Sequence, residues 1–582
     1  MNRAAVYHRP ESEMAYLYDQ DTIHLRLKVA KDDVSQVEVI KGDPYLIDDQ
    51  KWYRKSEKMF LRASTEDADY YQIAINAEFR RLSYIFRVIF NSGESMLYTE
   101  HGLVEDDDSN LCSAGHYFRF PFMHAADQFY APQWVKDTVW YIILPDRFAN
   151  GDASNDPKVT QIWDSLRTPH YSDFYGGDLQ GIIDKLDYLE ELGINGIYLC
   201  PVFKAATHHK YDTIDYFEID PHFGDKVLFK ELVEDCHRRG IKVMMDAVFN
   251  HIGTASYQWQ DVLRNGENSR FKDWFHINQF PVSFTNNCVD GQWNTRATYH
   301  MFAFVEHMPK MNTANPEVRD YLLSVARYWI EHFDIDGWRL DVANEIDHAF
   351  WREFRKVCDS VKKDFYIMGE IWHSSQPWLE GDQFHAVINY AFTDCILSHY
   401  AYGNISLSQM IGDINRQSML YREQTNQVMF NLFAAHDMPR LIDLCGNNKT
   451  LMRFVLAFMY LQKGSPAIFY GDELGLLGGQ DPDCRRCMPW EKELQDTSLH
   501  DFYRDLISLR KEYSQLISLG ELKITQLDDQ KDLLNFEITL EDQSISAIFN
   551  AGEDYSCHIS NALLANEYDG HNLRKHGFII YA

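Results

Sequence analysis

The sequence predicts a (β/α)8 barrel with an additional β domain on each side of it. Three observations lead to this prediction. Short apolar segments alternate with helical segments through the middle of the chain, and strand-like alternation dominates before residue 125 and after residue 514. In addition, acidic and histidine side chains recur directly after several of the apolar segments. Active sites of such barrels lie at the carboxyl ends of the strands, so these side chains are expected to converge.

The first 125 residues read as a β-sandwich. Residues 22–29 alternate between apolar and polar side chains, as a half-buried strand does. Residues 37–40, 70–75 and 82–90 are further strand-like segments between polar turns. This spacing is typical of a sandwich. No catalytic constellation is found in it, so a binding or dimerisation module and a plain spacer are both open interpretations of the domain.

Residues 126–513 form the predicted barrel. Its strands lack alternation, as expected of parallel strands that are covered on both faces. The eight predicted strands cover residues 138–143, 196–200, 242–248, 337–340, 365–368, 386–388, 428–432 and 467–470. The connection over residues 250–315 is too long for an ordinary loop and predicts a small insertion domain after the third strand. Residues 514–582 return to short alternating strands and predict a C-terminal β-sandwich.

The composition restricts the possible partners. The formal net charge of -31 argues against nucleic acid and anionic membrane, which both attract basic proteins. The first ten residues lack the apolar region of a signal peptide, and no apolar run is long enough to span a bilayer. The ten cysteines are scattered, and the single pair Cys484 and Cys487 is a weak zinc signal. We therefore expect reduced thiols in a cytoplasmic protein, with a metal or disulfide role as the alternative.

Chemically active side chains follow four of the predicted strands. They are Asp246, Asn250 and His251 after the third strand, Arg339 and Asp341 at the fourth, Glu370 and Trp372 after the fifth, and His436 and Asp437 after the seventh. Taken alone, Arg339 and Asp341 could be a buried ion pair that only stabilises the fold. The recurrence at four strand ends favours an active site instead.

Glycoside hydrolysis uses this set of side chains, because it needs two carboxyl groups and no serine or cysteine nucleophile. The competing interpretation is a magnesium site of the enolase type, which also places acids at strand ends. Arg339 opposes a divalent cation next to Asp341 and favours an ionised carboxylate of low pKa there. The rings of Tyr211, Trp372, Phe302 and Phe304 suit an uncharged sugar.

The chain resembles the α-amylase family of glycoside hydrolases. Four stretches carry the resemblance, in the family's order: residues 246–251, 337–345, 368–372 and 435–437. Residues 308–312, residues 342–345 and the N-terminal sandwich further resemble the cyclomaltodextrinase, neopullulanase and maltogenic amylase group. The departures are Met311, where leucine is usual, and Ala435 and Met438 around His436 and Asp437. We do not expect these departures to affect activity.

The resemblance implies a role for each candidate residue. Asp341 is the nucleophile, Glu370 the acid/base, and Asp437 the carboxylate that stabilises the transition state, while Arg339 keeps Asp341 ionised. The implied substrate-binding residues are His209, Tyr211, His251, Arg339, Glu345, Trp372, His436, Asp481 and Arg485. Retention of anomeric configuration is expected, with carboxyl groups about 5 Å apart. Glu345 is expected to face the acceptor sugar or water. For Asp481 and Arg485 a plain surface loop remains the alternative.

A second segment predicts a structural calcium site. Clustered oxygen ligands of the kind calcium prefers occur around residues 150–156 and 176–178, although an Asx-rich turn would look similar. The group's calcium loop is similar to these residues and implies the ligands Asn150, Asp152, Asn155, Asp156, Gly176 through its carbonyl, and Asp178.

The function expected from the resemblance is hydrolysis of α-1,4 bonds in cyclodextrins, pullulan and maltooligosaccharides, with transglycosylation. The substrate is an α-glucan oligosaccharide, and a homodimer is expected because the group's N-terminal domain packs on a partner subunit. A starch-acting α-amylase and a glucanotransferase are the alternatives within the family. A barrel that has lost catalysis and serves as a scaffold is a remote alternative, because the acidic triad is intact.

Overall fold

The computed structural model describes residues 1–289 and 292–582, so residues 290–291 of the predicted insertion lie outside the described residues. Its centre is an eight-stranded parallel barrel. The strands are Trp140–Ile143, Gly196–Leu199, Lys242–Ala247, Gly337–Leu340, Tyr366–Gly369, Ala386–Val387, Phe430–Asn431 and Ser465–Phe469. Each strand pairs with its sequence neighbour, the first pairs with the eighth, and a parallel bridge between Ile388 and Phe430 closes the ring. The predicted barrel is confirmed.

Large aromatic side chains fill the barrel interior. Trp140 of the first strand stacks on Tyr366 of the fifth at 6.0 Å between ring centroids and contacts Phe430 of the seventh at 5.9 Å. All three are fully buried. Because these strands are not neighbours, the contacts cross the barrel and pack it as a core rather than a channel.

Helices surround the barrel and begin at polar caps. Asp225 accepts from the backbone N–H of Val227 and Leu228, and Asp347 accepts from that of Phe350, as N-cap residues do. The longer helices are Lys226–Arg238, Pro316–Phe333, His348–Val361, Tyr390–Tyr400, Leu407–Met419, Lys449–Tyr460 and Thr497–Glu512. The shorter ones within the barrel region are Pro145–Phe148, Leu179–Asp184, Leu186–Leu192, Tyr257–Asn265, Glu423–Asn426 and Leu441–Leu444. None of the helices that the structure describes is long and apolar enough to cross a membrane.

The N-terminal domain is a sandwich of two antiparallel sheets, as predicted. One contains Ala15–Leu17, Thr22–Ala30, Phe60–Ser64 and Ala68–Asn76, and the other Val34–Gly42, Glu57–Lys58, Leu82–Phe90, Ser95–Thr99, Gly102–Glu105 and Phe118–Phe120. Polar contacts join it to the barrel. Arg26 donates to the Tyr421 carbonyl at 2.8 Å, and the Gln424 side chain donates to the Leu17 carbonyl at 2.9 Å.

The long connection after the third strand contains the helix Tyr257–Asn265 and an antiparallel pair, Phe284–Val289 with Gln292–Ala297. It returns to the barrel through a bridge between His251 and Lys310. The insertion therefore lies beside the strand end that carries Asn250 and His251.

The helix Ser514–Leu519 leads into the C-terminal β domain. Its strands are Glu521–Asp528, Leu533–Leu540, Gln543–Asn550, Tyr555–Ser556, Ala562–Tyr568 and Asn572–Tyr581, and they form one hydrogen-bonded sheet. One face packs on the barrel, where the Phe549 ring lies 5.2 Å from Phe454 and 5.5 Å from Phe458. The other face has a small core of its own around Leu533 and Leu573.

Candidate active site

One buried guanidinium organises the carboxyl ends of the barrel strands. A terminal nitrogen of Arg339 lies 2.8 Å from Asp246 and 2.8 Å from Asp341, and its other terminal nitrogen lies 2.7 Å from Glu370. Neighbouring strands bring these groups together, because Asp246 and Arg339 are paired residues of the third and fourth strands. Arg339 is 1% exposed and shares its charge among three carboxyl groups.

Asp341 keeps one oxygen free. Arg339 donates to Oδ1 at 2.8 Å, whereas Oδ2 is buried and has no hydrogen-bond partner among the described residues. Burial raises the pKa of Asp341 well above its usual range. The Arg339 guanidinium lowers this pKa, whereas the charges of Glu370 and Asp246 raise it further. The sequence predicted a low pKa from Arg339 alone. The difference arises because one guanidinium serves three acids in a desolvated site.

Glu370 accepts hydrogen bonds on both oxygens. The backbone N–H of Val342 donates to Oε2 at 2.9 Å, and the indole N–H of Trp372 donates to Oε1 at 3.1 Å. Val342 has φ 46°, a left-handed conformation that costs a β-branched residue about 1–3 kcal/mol. This backbone turn aims the Val342 N–H at the Glu370 carboxyl group.

Asp246 is a member of the site that the predicted site residues did not include. The hydroxyl groups of Tyr198 and Tyr211 donate to its Oδ2 at 2.7 and 2.9 Å, and Arg339 donates to both oxygens. Burial raises the pKa of Asp246, while Arg339 and the two tyrosines lower it. The sequence offered one signal for this role, because Asp246 is among the side chains at the ends of the predicted strands. The structure adds that it lies opposite Arg339 on the neighbouring strand.

The predicted histidines line the same pocket. The rings of His436 and Tyr211 stack at 5.1 Å, and the rings of His251 and Phe302 do the same at 5.1 Å. Burial lowers the pKa of His251 to about 3 and that of His436 well below its usual value. Both are therefore neutral near pH 7 and able to donate from one ring nitrogen and accept at the other.

His209 lies behind the Tyr211 ring. Its Nδ1 accepts from the backbone N–H of Tyr211 at 3.1 Å, and burial lowers its pKa well below the usual value. His251 Nε2 donates to the carbonyl of Tyr211 at 3.1 Å. Two histidines thus hold the Tyr211 backbone, which orients a ring suited to stacking on a sugar.

Asp437 is half-buried beside this pocket, and its Oδ1 is a second acidic oxygen without a partner among the described residues. Burial raises the pKa of Asp437, while Arg339 and Arg485 lower it. Arg485 donates to the His436 carbonyl at 2.7 Å and to Asp481 at 2.9 Å. Arg485 is itself buried, which contradicts the alternative interpretation of a plain surface loop at this residue.

Aromatic side chains form an open rim. Trp372 stacks on Tyr390 at 3.8 Å and is 54% exposed, and Phe304 is 74% exposed. Tyr390 was not predicted, because the sixth strand is followed by Asn389 and not by an acid or a histidine. Glu345 is exposed on the same side, and Lys310 donates to its Oε2 at 3.1 Å and to its carbonyl at 2.7 Å.

The predicted calcium residues form a separate group. Asp178 accepts from the backbone N–H of Gly151, Asp152 and Gly181, and from Asn155, so it already caps a helix. Asn155 Oδ1 is buried without a partner among the described residues.

Gly176 has φ +80° and lies against Asn150 and Asp156, where a Cβ would collide with both side chains. Among the described residues there is no cluster of three or more histidine, cysteine, aspartate or glutamate side chains that could hold a metal ion. The residues nevertheless fit calcium, which takes amide and carbonyl oxygens as well as carboxylates.

Comparison with known proteins covers the whole chain. A family model described as the alpha amylase catalytic domain matches residues 142–496, and one described as the alpha amylase N-terminal ig-like domain matches residues 1–124. The intracellular maltogenic amylase of Bacillus subtilis (strain 168) is 50% identical over 552 residues, which are 95% of this chain and 92% of that protein.

Neopullulanase 2 of Thermoactinomyces vulgaris is 42% identical over 548 residues, which are 94% of this chain and 90% of that protein. A solved structure of a cyclomaltodextrinase superposes with a TM-score of 0.90 at 40% identity and covers 100% of both chains.

Proposed function

The chain belongs to the α-amylase family of glycoside hydrolases, and on this premise we propose that it hydrolyses α-1,4-glucosidic bonds in cyclomaltodextrins, pullulan and maltooligosaccharides with retention of configuration. Relatives named maltogenic amylase, cyclomaltodextrinase and neopullulanase support this substrate range. The observation that carries the proposal is the anchoring of Asp341 and Glu370 on the two ends of one guanidinium. Sharing one guanidinium brings the two carboxyl groups close together, and retaining enzymes have their two carboxyl groups about 5 Å apart.

In the proposed mechanism, Asp341 Oδ2 attacks the anomeric carbon, because it is the carboxylate oxygen that no hydrogen bond occupies. Glu370 gives a proton to the departing glycosidic oxygen, and the bond between that oxygen and the anomeric carbon breaks. In the ligand-free geometry Glu370 accepts from Arg339, Val342 and Trp372. One of these contacts must give way to the glycosidic oxygen.

The second half of the reaction reverses the roles. Glu370 removes a proton from water, and the resulting nucleophile displaces Asp341 from the sugar, which restores the original configuration. In this proposal Asp437 accepts hydrogen bonds from sugar hydroxyl groups as positive charge develops on the ring, and its unpartnered Oδ1 supports this role. When a second sugar takes the place of water, the same step gives transglycosylation.

The test is turnover of γ-cyclodextrin, pullulan and starch by the parent enzyme and by Asp341→Asn and Glu370→Gln. Loss of a nucleophile or a general acid lowers kcat by about 10²–10⁴ or more, with the melting temperature retained. Proton NMR of the first product should show the α anomer. Near-normal turnover by Asp341→Asn would refute the mechanism. Preference for starch, or products from transfer alone, would favour the starch-acting α-amylase or the glucanotransferase.

We propose in addition that Asn150, Asp152, Asn155, Asp156, the Gly176 carbonyl and Asp178 hold a structural calcium ion. The orphaned Asn155 oxygen supports this proposal. Bound calcium would neutralise the clustered oxygens and fasten the loop over residues 150–156 to Gly176. Chelation should lower the melting temperature of the parent and of the control variant Asp246→Asn, which keeps all six calcium residues. It should not lower the melting temperature of Asn155→Ala. An unchanged melting temperature of the parent, with no calcium by elemental analysis, would exclude the site.

We further propose a cytoplasmic homodimer that uses the N-terminal domain. Exposed apolar side chains on that domain, including Tyr45, Phe60 and Leu61, support an interface. The nine cysteine side chains that the structure describes are free thiols, which suits a reducing compartment. Light scattering of the parent protein should give twice the chain mass of 68.3 kDa. The double variant that combines Phe60→Asp and Leu61→Asp should give the mass of a single chain. A monomeric parent protein would exclude the dimer.

A further inference from the structure

A cavity of about 130 Å³ lies where the three domains meet, and none of the predicted site residues lines it. Arg62 reaches it from the N-terminal sandwich, and Leu522 and Ile538 reach it from the C-terminal sheet. The barrel supplies the remaining wall, including Glu423 and Lys463. One water needs about 10–15 Å³ of such space, so a small organic molecule has room here.

The charges around this junction cavity do not balance. Glu423 is buried and contacts Lys463, and its Oε2 lies 3.5 Å from Arg62 and 3.9 Å from Arg26. Three cations therefore surround one buried carboxylate, and the exposed Glu521 of the C-terminal domain is a further acid whose charge acts on Lys463. Buried charge without a compensating partner is costly, since desolvation of each ion amounts to several kcal/mol.

Arg62 is the cation whose donors are unused. Its side chain is 16% exposed, and it makes no hydrogen bond to a described residue, only the 3.5 Å contact with Glu423. Arg26 provides the contrast, because its guanidinium donates to Gln72, Glu13, Tyr16 and Tyr421. A guanidinium presents five donors in a planar fork that matches a carboxylate or phosphate.

We propose that the junction cavity binds a small organic anion whose carboxylate or phosphate group pairs with Arg62. The rest of the wall suits the body of such a molecule. Asn389, Gln417 and Gln462 present amide groups, and the buried amide nitrogen of Gln462 has no partner among the described residues. Phe392, Met429 and Leu461 contribute apolar surface.

The test measures binding rather than catalysis, so its result is independent of the hydrolase proposal. Melting curves and titration calorimetry of the full-length protein would use glucose 6-phosphate, citrate, glucose and inorganic phosphate as probes, at constant ionic strength. The variants are Arg62→Gln, Arg62→Lys and the control Arg54→Gln, which removes an exposed arginine of the same domain that does not line the cavity.

We expect glucose 6-phosphate or citrate to bind saturably to the parent and to Arg54→Gln. Arg62→Gln should weaken binding at least tenfold, and Arg62→Lys should do so partially, because lysine keeps the charge but loses the fork. The pair of probes identifies whether a phosphate or a carboxylate is preferred. Absence of saturable binding, or equal binding by Arg62→Gln, would overturn the proposal. Equal binding of glucose, or of inorganic phosphate alone, would overturn the assignment to an organic anion.

Discussion

Replacement of Asp246 by asparagine tests whether Arg339 is shared among three acids. Asp246 and Asp341 each lie 2.8 Å from the same Arg339 nitrogen, so at most about 5.6 Å, twice that distance, separates their oxygens. Two unit charges at that separation repel by about 3 kcal/mol at an effective dielectric constant of about 20. This energy corresponds to about two pKa units.

The substitution removes one negative charge and leaves Arg339 more fully available to Asp341, so the pKa of Asp341 should fall. The acidic limb of the pH profile of kcat/KM reports ionisation of the nucleophile in the free enzyme. We expect this limb to move to lower pH by about 1–2 units. At the optimum, kcat/KM should fall by about tenfold to a hundredfold, because the asparagine side chain has only one acceptor oxygen, whereas Arg339 donates to both oxygens of Asp246.

Asp336→Asn is the matched control. Asp336 is equally buried and precedes the same strand at its amino end, where it pairs with His237, Lys242 and Lys362. This variant should lower the melting temperature but leave the pH profile in place. An acidic limb that stays unchanged, or moves to higher pH, in Asp246→Asn would refute the shared-guanidinium argument.

Three further predictions follow from single contacts. Glu345→Gln removes the ionic partner of Lys310 at the rim. With maltotriose as substrate and chromatography of the products, this variant should change the ratio of transfer to hydrolysis products more than it changes total cleavage. An unchanged ratio would contradict the prediction. Cys200 Sγ lies 3.6 Å from His436 Nδ1, and burial raises the pKa of the thiol, so the S–H stays protonated and donates to the histidine. Cys200→Val removes this donor and should lower kcat/KM several-fold, whereas Cys200→Ser keeps a donor and should keep kcat/KM. Equal losses in the two variants would exclude a role of Cys200 as hydrogen-bond donor to His436. Burial lowers the pKa of His8 to about 4, so the unfolded chain takes up this proton first and the stability of the N-terminal domain should fall by about 3 kcal/mol as pH drops from 6.5 to 4. Thermal melts of His8→Gln should show a shallower decline over that range, and an identical decline would argue against His8.

The barrel could be predicted because its strands are apolar on both faces and its functional side chains stand next to them in sequence. Arg339, Asp341 and Glu370 were found in this way. Tyr390 could not be found, since its place against Trp372 depends on how the sixth strand leads into its helix. The direction of the Asp341 pKa shift also differs from the prediction, because the sequence reveals the neighbouring arginine but neither the burial of the carboxyl group nor the two further acids that share the guanidinium.

The calcium residues and the junction cavity illustrate the same limit. The resemblance implied Asn155 and Asp178 as ligands of one calcium ion, but it did not reveal that Asp178 accepts hydrogen bonds from four N–H donors. The cavity joins Arg62 to Lys463 across 401 positions of the chain, and no local pattern marks either residue. Contacts between domains of this kind follow from packing and become visible only in the folded protein.

The left-handed peptide at Val342 has a consequence for how this enzyme can be altered. It connects Asp341 covalently to the donor that holds Glu370, so the chain itself acts as a spacer between the two reacting groups. The Val342 side chain takes no part in that hydrogen bond and is only half-buried. The Val342 side chain can therefore be varied while the N–H that holds Glu370 stays in place, whereas Ala343 is fully buried and donates its own N–H to the Glu370 carbonyl at 3.2 Å. Sequence change within this turn is thereby confined to side chains that leave the two reacting carboxyl groups where they are.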